Sequence, residues 1–182
     1  VREADVAWHR ITLPKAPVSR LRAALVGVVE EALLDDADKV HLAVAPLATA
    51  GQAAWIAAVD KAWLQDELAV LEKAGVFVDR VVPMAWPDDP PAGHFHAPAE
   101  GVGNAQSVML TWASTEGVAT MRLDGGLARA LVPQQPPPTT RWTAEPMAAA
   151  AAEQWLGAPV NVMPTEHRLL QAGRSLWNLR QF

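Results

Sequence analysis

Val40-His41-Leu42-Ala43-Val44-Ala45-Pro46-Leu47-Ala48-Thr49-Ala50-Gly51-Gln52-Ala53-Ala54-Trp55-Ile56-Ala57-Ala58-Val59 contains no Asp, Glu, Lys or Arg. An uncharged run of about twenty residues is what a bilayer crossing requires. Its interior argues otherwise. Pro46 to Gln52 is rich in breakers and ends on a polar residue, and the flanking runs alternate instead of presenting continuous Leu, Ile or Phe. Val40, Leu42 and Val44 alternate with His41, Ala43 and Ala45, while Ala53, Trp55, Ala57 and Val59 alternate with Ala54, Ile56 and Ala58. Period two on both sides of a turn predicts a β-hairpin.

Upstream, Asp5 to Leu13 carries Val6, Trp8, Ile11 and Leu13 and stops at Pro14, which cannot donate to a ladder, so a strand is expected there. Pro17 suits the first turn of a helix, and Leu21, Leu25, Val28, Val29 and Ala32 recur at helical spacing as its inner stripe, with the helix running to about Leu34. Downstream, Asp60 is an N-cap for a second helix with Leu64, Leu68 and Leu71 inside and a left-handed stop at Gly75. Val76 to Val82 reads as a strand ended by Pro83. The order from Asp5 to Val82 is β-α-β-β-α-β, and the fold class is α/β (α+β), with two helices on one face of a sheet.

Met84 to Val102 is rich in Pro, Gly and His without a period and reads as a connector. Beyond it, Val108, Leu110 and Trp112 alternate, Ser114 to Gly117 turns, Val118 to Leu123 alternates again, and Asp124-Gly125-Gly126 is a hairpin signal before Leu127 to Val132. A three-stranded meander is predicted. Gln134 to Pro138 is an extended spacer, Thr143 an expected cap for an alanine-rich helix ended by Gly157, Pro159 to Met163 a short strand that rejoins the sheet through Val160 and Val162, and Thr165 the cap of a last helix ending near Gly173. The chain thus divides into a module over 1–83, a connector over 84–103 and a second unit over 104–182.

The composition narrows the function classes. The chain has 182 residues, 51% of them hydrophobic, with a net charge of −5 from 15 Lys+Arg and 20 Asp+Glu. No basic run offers a phosphate-neutralising stripe, which points away from nucleic acid. With no Cys, a disulfide framework, a thiol nucleophile and a zinc ribbon are all excluded. The chain opens at Val1 without a basic-then-apolar signal segment and reads as an excised fragment.

Ile11-Thr12-Leu13-Pro14, Glu30-Glu31-Ala32-Leu33-Leu34-Asp35-Asp36, His41-Leu42-Ala43, Ala74-Gly75 leading to Val82-Pro83, and the tail Leu170 to Leu179 with its Trp177-Asn178-Leu179 closely resemble the cytoplasmic part of type II secretion system protein L. The resemblance covers nearly the whole chain. It implies an actin-like, RNase H-like arrangement, with an N-terminal piece of the first domain absent here and a membrane helix following. It further implies a non-catalytic scaffold on the cytoplasmic face of the bacterial inner membrane. That scaffold recruits the secretion ATPase through the ATPase's N-terminal domain, meets other platform proteins and has a homodimer as a possible state. No cofactor is implied, since the family resembles an ATPase fold without the ATPase site.

An actin-like fold raises nucleotide binding as an alternative, so the phosphate turns need testing against the residues. The turn Trp112 to Gly117 has no Asp-x-Gly, and Asp124-Gly125-Gly126 sits where a two-residue hairpin turn accounts for it. Gly101-x-Gly103 is a broken dinucleotide fingerprint without a preceding strand. A third alternative is a metal-dependent hydrolase using His94 and His96 with Asp88, Asp89 or Glu100; against it stands a mobile connector that merely contains two histidines. Ser107, Ser114 and Ser175 lie in no nucleophile elbow, so no catalytic residue is assigned.

The first helix also carries Ala23, Val26, Gly27, Glu30 and Leu34 on roughly its outer side, and a helix apolar on both sides needs two partners. One reading packs that side on an absent N-terminal part or the second domain. The other makes it a docking surface for the ATPase, with Val26, Glu30 and Leu34 within a rim of Arg20, Arg22, Glu31, Asp35 and Asp36 that sets register.

Overall fold

The computed structural model describes residues 1–33, 36–98 and 107–181. Two compact units emerge, one from Val1–Pro83 with Ser175–Phe182 and one from Met84–Arg174. Among the described residues no helix is long and apolar enough to cross a membrane.

In the first unit the hairpin forms as read: β2 (Val40–Val44) lies antiparallel to β3 (Ala53–Asp60), with Leu42 opposite Ala58. The first strand β1 (Ala7–Thr12) pairs with the other edge of β3, giving the order β1-β3-β2. Alternation sends Val40, Leu42, Val44, Ala54, Ile56 and Ala58 to one face, where they meet Leu25 and Val29 of α1 (Val18–Val29). Helix α1 passes into a short 3-10 turn over Glu30–Ala32. Asp60 caps α2 (Lys61–Lys73) by accepting from the Trp63 N–H at 2.7 Å, and Gly75, at φ 75°, ends it. Leu64 is buried and Leu68 half-buried, but Leu71 at the far end of the expected stripe is exposed.

The last strand of the predicted β-α-β-β-α-β order does not form. Residues 76–82 join no sheet, and the partners of Val81 lie at the distant end of the chain. Leu179 N–H donates to Val81 O at 2.6 Å, and Asn178 Oδ1 accepts from Val81 N–H at 3.2 Å. A side-chain amide thus takes the place of a ladder rung. For the same reason the second unit does not reach 182; the tail from Ser175 belongs to the first unit.

The second unit begins inside the expected connector. Ala92–His96 is a strand, β4, and it lies at the centre of a five-stranded sheet of order β6-β5-β4-β7-β8. It pairs antiparallel with β5 (Met109–Ser114), which pairs antiparallel with β6 (Gly117–Arg122). On its other side β7 (Arg141–Ala144) and then β8 (Asn161–Val162) run parallel. The predicted meander therefore has β4 as its first strand. Its expected third strand, Leu127 to Val132, is instead mostly the helix α3 (Gly126–Leu131): the two residues it buries are Ala128 and Val132, four apart, which a helix presents on one side.

Thr143 is not a cap but a residue of β7, and α4 (Ala149–Leu156) starts after a 3-10 turn at Pro146–Ala148 and stops at Gly157, φ 69°. Thr165 opens α5 (Thr165–Gly173) without capping it; its hydroxyl donates to Glu145 Oε1 at 2.9 Å. One sheet face, with Phe95, Leu110, Trp112, Met121 and Ala144, packs on Ala128, Ala148 and Ala152 of the helical segments.

Candidate functional site

Helix α1 was expected to offer a docking surface, and the structure turns it about its axis. Val26, expected outside, packs against the first core beside Leu21 and Leu33, while Val28, expected inside, is 45% exposed. The sheet decides this, since Leu25 and Val29 pack with the inward residues of β2 and β3 and carry Val26 round with them. Ala23, Gly27 and Glu30 do face solvent, as does Arg20, and nothing lies within 4 Å of where a Gly27 Cβ would sit. Arg22 is half-buried and lowers the pKa of His41, behind the larger effect of burial. Asp36 is exposed and pairs with Lys39 at 2.9 Å. Leu34 and Asp35 lie outside the described residues, and the Glu31 side chain likewise.

The second unit holds a site that the sequence reading treated as loop. Strand pairing aligns Thr120, Thr111, His94, Thr143 and Asn161 in one row, a polar residue from each of five strands. Inward-facing Phe95 holds β4 in the core, so its neighbours His94 and His96 necessarily project from the opposite face. Ala97 O can only accept, so His96 Nδ1–H donates to it at 2.7 Å. His96 Nε2 lies 3.0 Å from Thr111 Oγ1, which in turn lies 2.9 Å from Thr120 Oγ1. His94 Nδ1 lies 2.8 Å from Thr143 Oγ1, whose hydroxyl also reaches Gly93 O at 3.4 Å. The two imidazoles stack with centroids 5.8 Å apart.

His94 is only 6% exposed, and its Nε2 is buried with no hydrogen-bond partner. It lines a cavity of about 400 Å³ together with Met84, Trp86, Thr143, Met163 and Arg168. Burial, with smaller help from Arg168 and His96, pushes its pKa down to about 3. A mobile connector displaying two exposed histidines is therefore corrected to a buried, strand-held pair. The metal reading gains nothing from the pair: Asp88 is held by Arg141, Asp89 is exposed, and Glu100 lies outside the described residues. Among the described residues, no three His, Asp or Glu side chains gather to hold a metal ion.

The depressed pKa has a sign that can be checked. Above about pH 6.5 His94 is neutral in both folded and unfolded chains. Between there and about 3 the unfolded chain binds a proton that the folded one refuses, so acid destabilises the second unit. The expected loss is at most about 1.4 kcal/mol per pH unit. Thermal unfolding of the native chain and His94→Gln between pH 7 and 4.5 should show a shallower pH slope in the variant; equal slopes would refute the buried neutral imidazole.

Comparison with known proteins places this geometry. The fold, two α/β units each built on a sheet with covering helices, is of the actin-like class found in the cytoplasmic domain of EpsL. That domain belongs to an inner membrane component of the type II secretion system of Vibrio cholerae; it aligns over 98% of this chain and 74% of its own, with a TM-score of 0.58 at 18% identity. Residues 1–88 match the family of type II secretion system protein L. The type II secretion system protein L of Dickeya chrysanthemi is 36% identical over 89 residues, which are 48% of this chain and 22% of that protein. The sequence likeness to type II secretion system protein L thus lies in residues 1–88, and the likeness in fold to the EpsL cytoplasmic domain extends over nearly the whole chain. This chain spans well under a third of its curated relative's length.

Proposed function

We propose that this chain is a non-catalytic scaffold of the type II secretion platform, working at the cytoplasmic face of the inner membrane and recruiting the secretion ATPase through that enzyme's N-terminal domain. The observation that carries the reading is the family match over residues 1–88, which includes all of α1. The exposed side of α1 supports it: Ala23 and Gly27 leave a low surface on which another element can lie close, and Arg20 and Glu30 supply charges of both signs to set register. Other platform proteins and a second copy of the chain are further expected partners.

The rotated helix changes which substitutions test this. Val26→Asp places a carboxylate against the first core and should cost the fold about 2 kcal/mol or more, whatever the partner does. Ala23→Arg and Val28→Asp should leave the melting point almost unchanged, within about 0.5 kcal/mol, because both sites are exposed. Each should weaken affinity for the ATPase's N-terminal domain by about tenfold or more. Full affinity in both, with the native melting point, would place the ATPase elsewhere.

A further inference from the structure

The cavity on the second sheet joins an unsatisfied polar atom to an apolar wall, and the scaffold role uses neither. Buried polar atoms are ordinarily hydrogen-bonded, so the bare His94 Nε2 calls for a partner. The proton on the other ring nitrogen decides of which kind. His94 Nδ1 lies 2.8 Å from Thr143 Oγ1, and the Thr143 hydroxyl reaches Gly93 O at 3.4 Å. A carbonyl only accepts, so using both contacts makes Thr143 the donor to Gly93 and the acceptor from His94 Nδ1–H. Burial keeps the ring neutral, its pKa pushed down to about 3. A neutral imidazole protonated on Nδ1 presents a lone pair at Nε2, and the missing partner is therefore a hydrogen-bond donor.

The lining fixes the rest of the ligand. Its charged side chains are Asp88, Arg141 and Arg168. Asp88 is paired with Arg141, and Arg168 is engaged as well. Among the described lining residues no charge is left over to hold an ionised ligand, and an unpaired ion is costly to bury. Trp86 contributes an aromatic ring and Met84 and Met163 contribute polarizable thioethers, groups that pack well with aromatic rings. The volume of about 400 Å³ falls in the range of small-molecule sites.

We propose that this cavity binds a small neutral phenol, its hydroxyl donating to His94 Nε2 and its ring lying among Trp86, Met84 and Met163.

A phenolic hydroxyl ionises only near pH 10, so at pH 7 it brings a proton and no charge. It is also a stronger donor than an aliphatic alcohol, because the ring withdraws electrons from its oxygen. An aryl methyl ether of similar shape keeps the ring contacts but leaves Nε2 bare. A saturated alcohol of similar size supplies the donor and loses the ring.

The test uses the intact chain with phenol, anisole and cyclohexanol as probes, followed by nitrogen-15 NMR of the imidazoles at pH 7. Phenol should bind saturably with a Kd of about 1 mM or tighter. It should move the His94 Nε2 signal in the direction of hydrogen-bond acceptance while Nδ1 remains the protonated nitrogen. Anisole should bind about tenfold more weakly or worse, since it buries the acceptor unpaired. Cyclohexanol should bind about fivefold more weakly or worse, since it lacks the aromatic contacts. Trp86→Ala should reduce phenol affinity about fivefold while the His94 signals of the free protein stay in place. No saturable phenol effect on Nε2 would show that water alone serves this atom and would overturn the proposal. Equal binding of anisole or cyclohexanol, full affinity in Trp86→Ala, or a protonated Nε2 in the complex would each do the same. The signature is read on the native chain, so it stands even if a variant fails to fold.

Discussion

Truncation after Arg174 should unfold the first unit while the melting transition of the second survives. The eight removed residues include Trp177 at 4% exposure and Leu179 at 0%, both in the first unit. Trp177 meets Trp8 edge to face, centroids 4.9 Å apart. Leu179 O accepts a hydrogen bond from His41 Nε2 at 2.5 Å, and the Gln181 amide pairs with Val44 through both its oxygen and its nitrogen, at 3.1 and 3.0 Å. Losing a buried Trp costs about 3–5 kcal/mol and a buried Leu about 2–5, which together consume most of the 5–15 kcal/mol that holds an ordinary domain. Trp177→Ala alone should remove about 3–5 kcal/mol. Hydrogen exchange resolved by residue would separate the units. Protection retained in β2 and β3 after truncation would show that the tail is merely laid on the surface.

Gly93→Ala should be nearly as damaging in the second unit. A Cβ at Gly93 would fall onto the Trp142 ring. That ring has no room to yield: it stands 5.3 Å from Trp112, 5.8 Å from Phe95 and 6.3 Å from Trp155, centroid to centroid. The backbone cannot retreat either, because β4 is paired on both sides, with Gly93 opposite Trp112 and Trp142. Overpacking of this kind costs about 1–3 kcal/mol where neighbours adjust, and more where backbone and side chains are both fixed. We expect a loss of about 3 kcal/mol or more in denaturant unfolding of the second unit. Gly93→Ala combined with Trp142→Leu should be less harmful than the sum of the two single changes, since the smaller side chain frees the space. A Gly93→Ala chain of native stability would contradict the packing described here.

The same two places mark the limit of what could be read along the chain. The hairpin over β2 and β3, the Asp60 cap, the stops at Gly75 and Gly157 and the helices α1, α2, α4 and α5 were all legible, because each depends on residues within a turn or two of one another. Local periodicity and local capping act over that range. Strand β4 was not legible: Gly93, His94 and His96 look like loop residues, and only the aromatic wall behind Gly93 and the threonines beside His94 explain them. Those partners arrive from β5 and β7, up to 50 residues away along the chain. For α3 the run Leu127 to Val132 was compatible with either period, and the depth at which Ala128 and Val132 meet the sheet settled it.

The resemblance to protein L was read from short motifs, among them the Trp177-Asn178-Leu179 tail, but what that tail does in the fold was not legible from them. By itself the sequence determined the local elements, the absence of cysteine chemistry and the likeness to protein L, all of which follow from residue identity and near-neighbour spacing. Only the tertiary structure decided which side of α1 faces solvent, that the tail closes the first unit, and that His94 is buried beside a cavity. These are contacts between residues far apart in the chain, whose free energy exists only once both partners have left water for the same place.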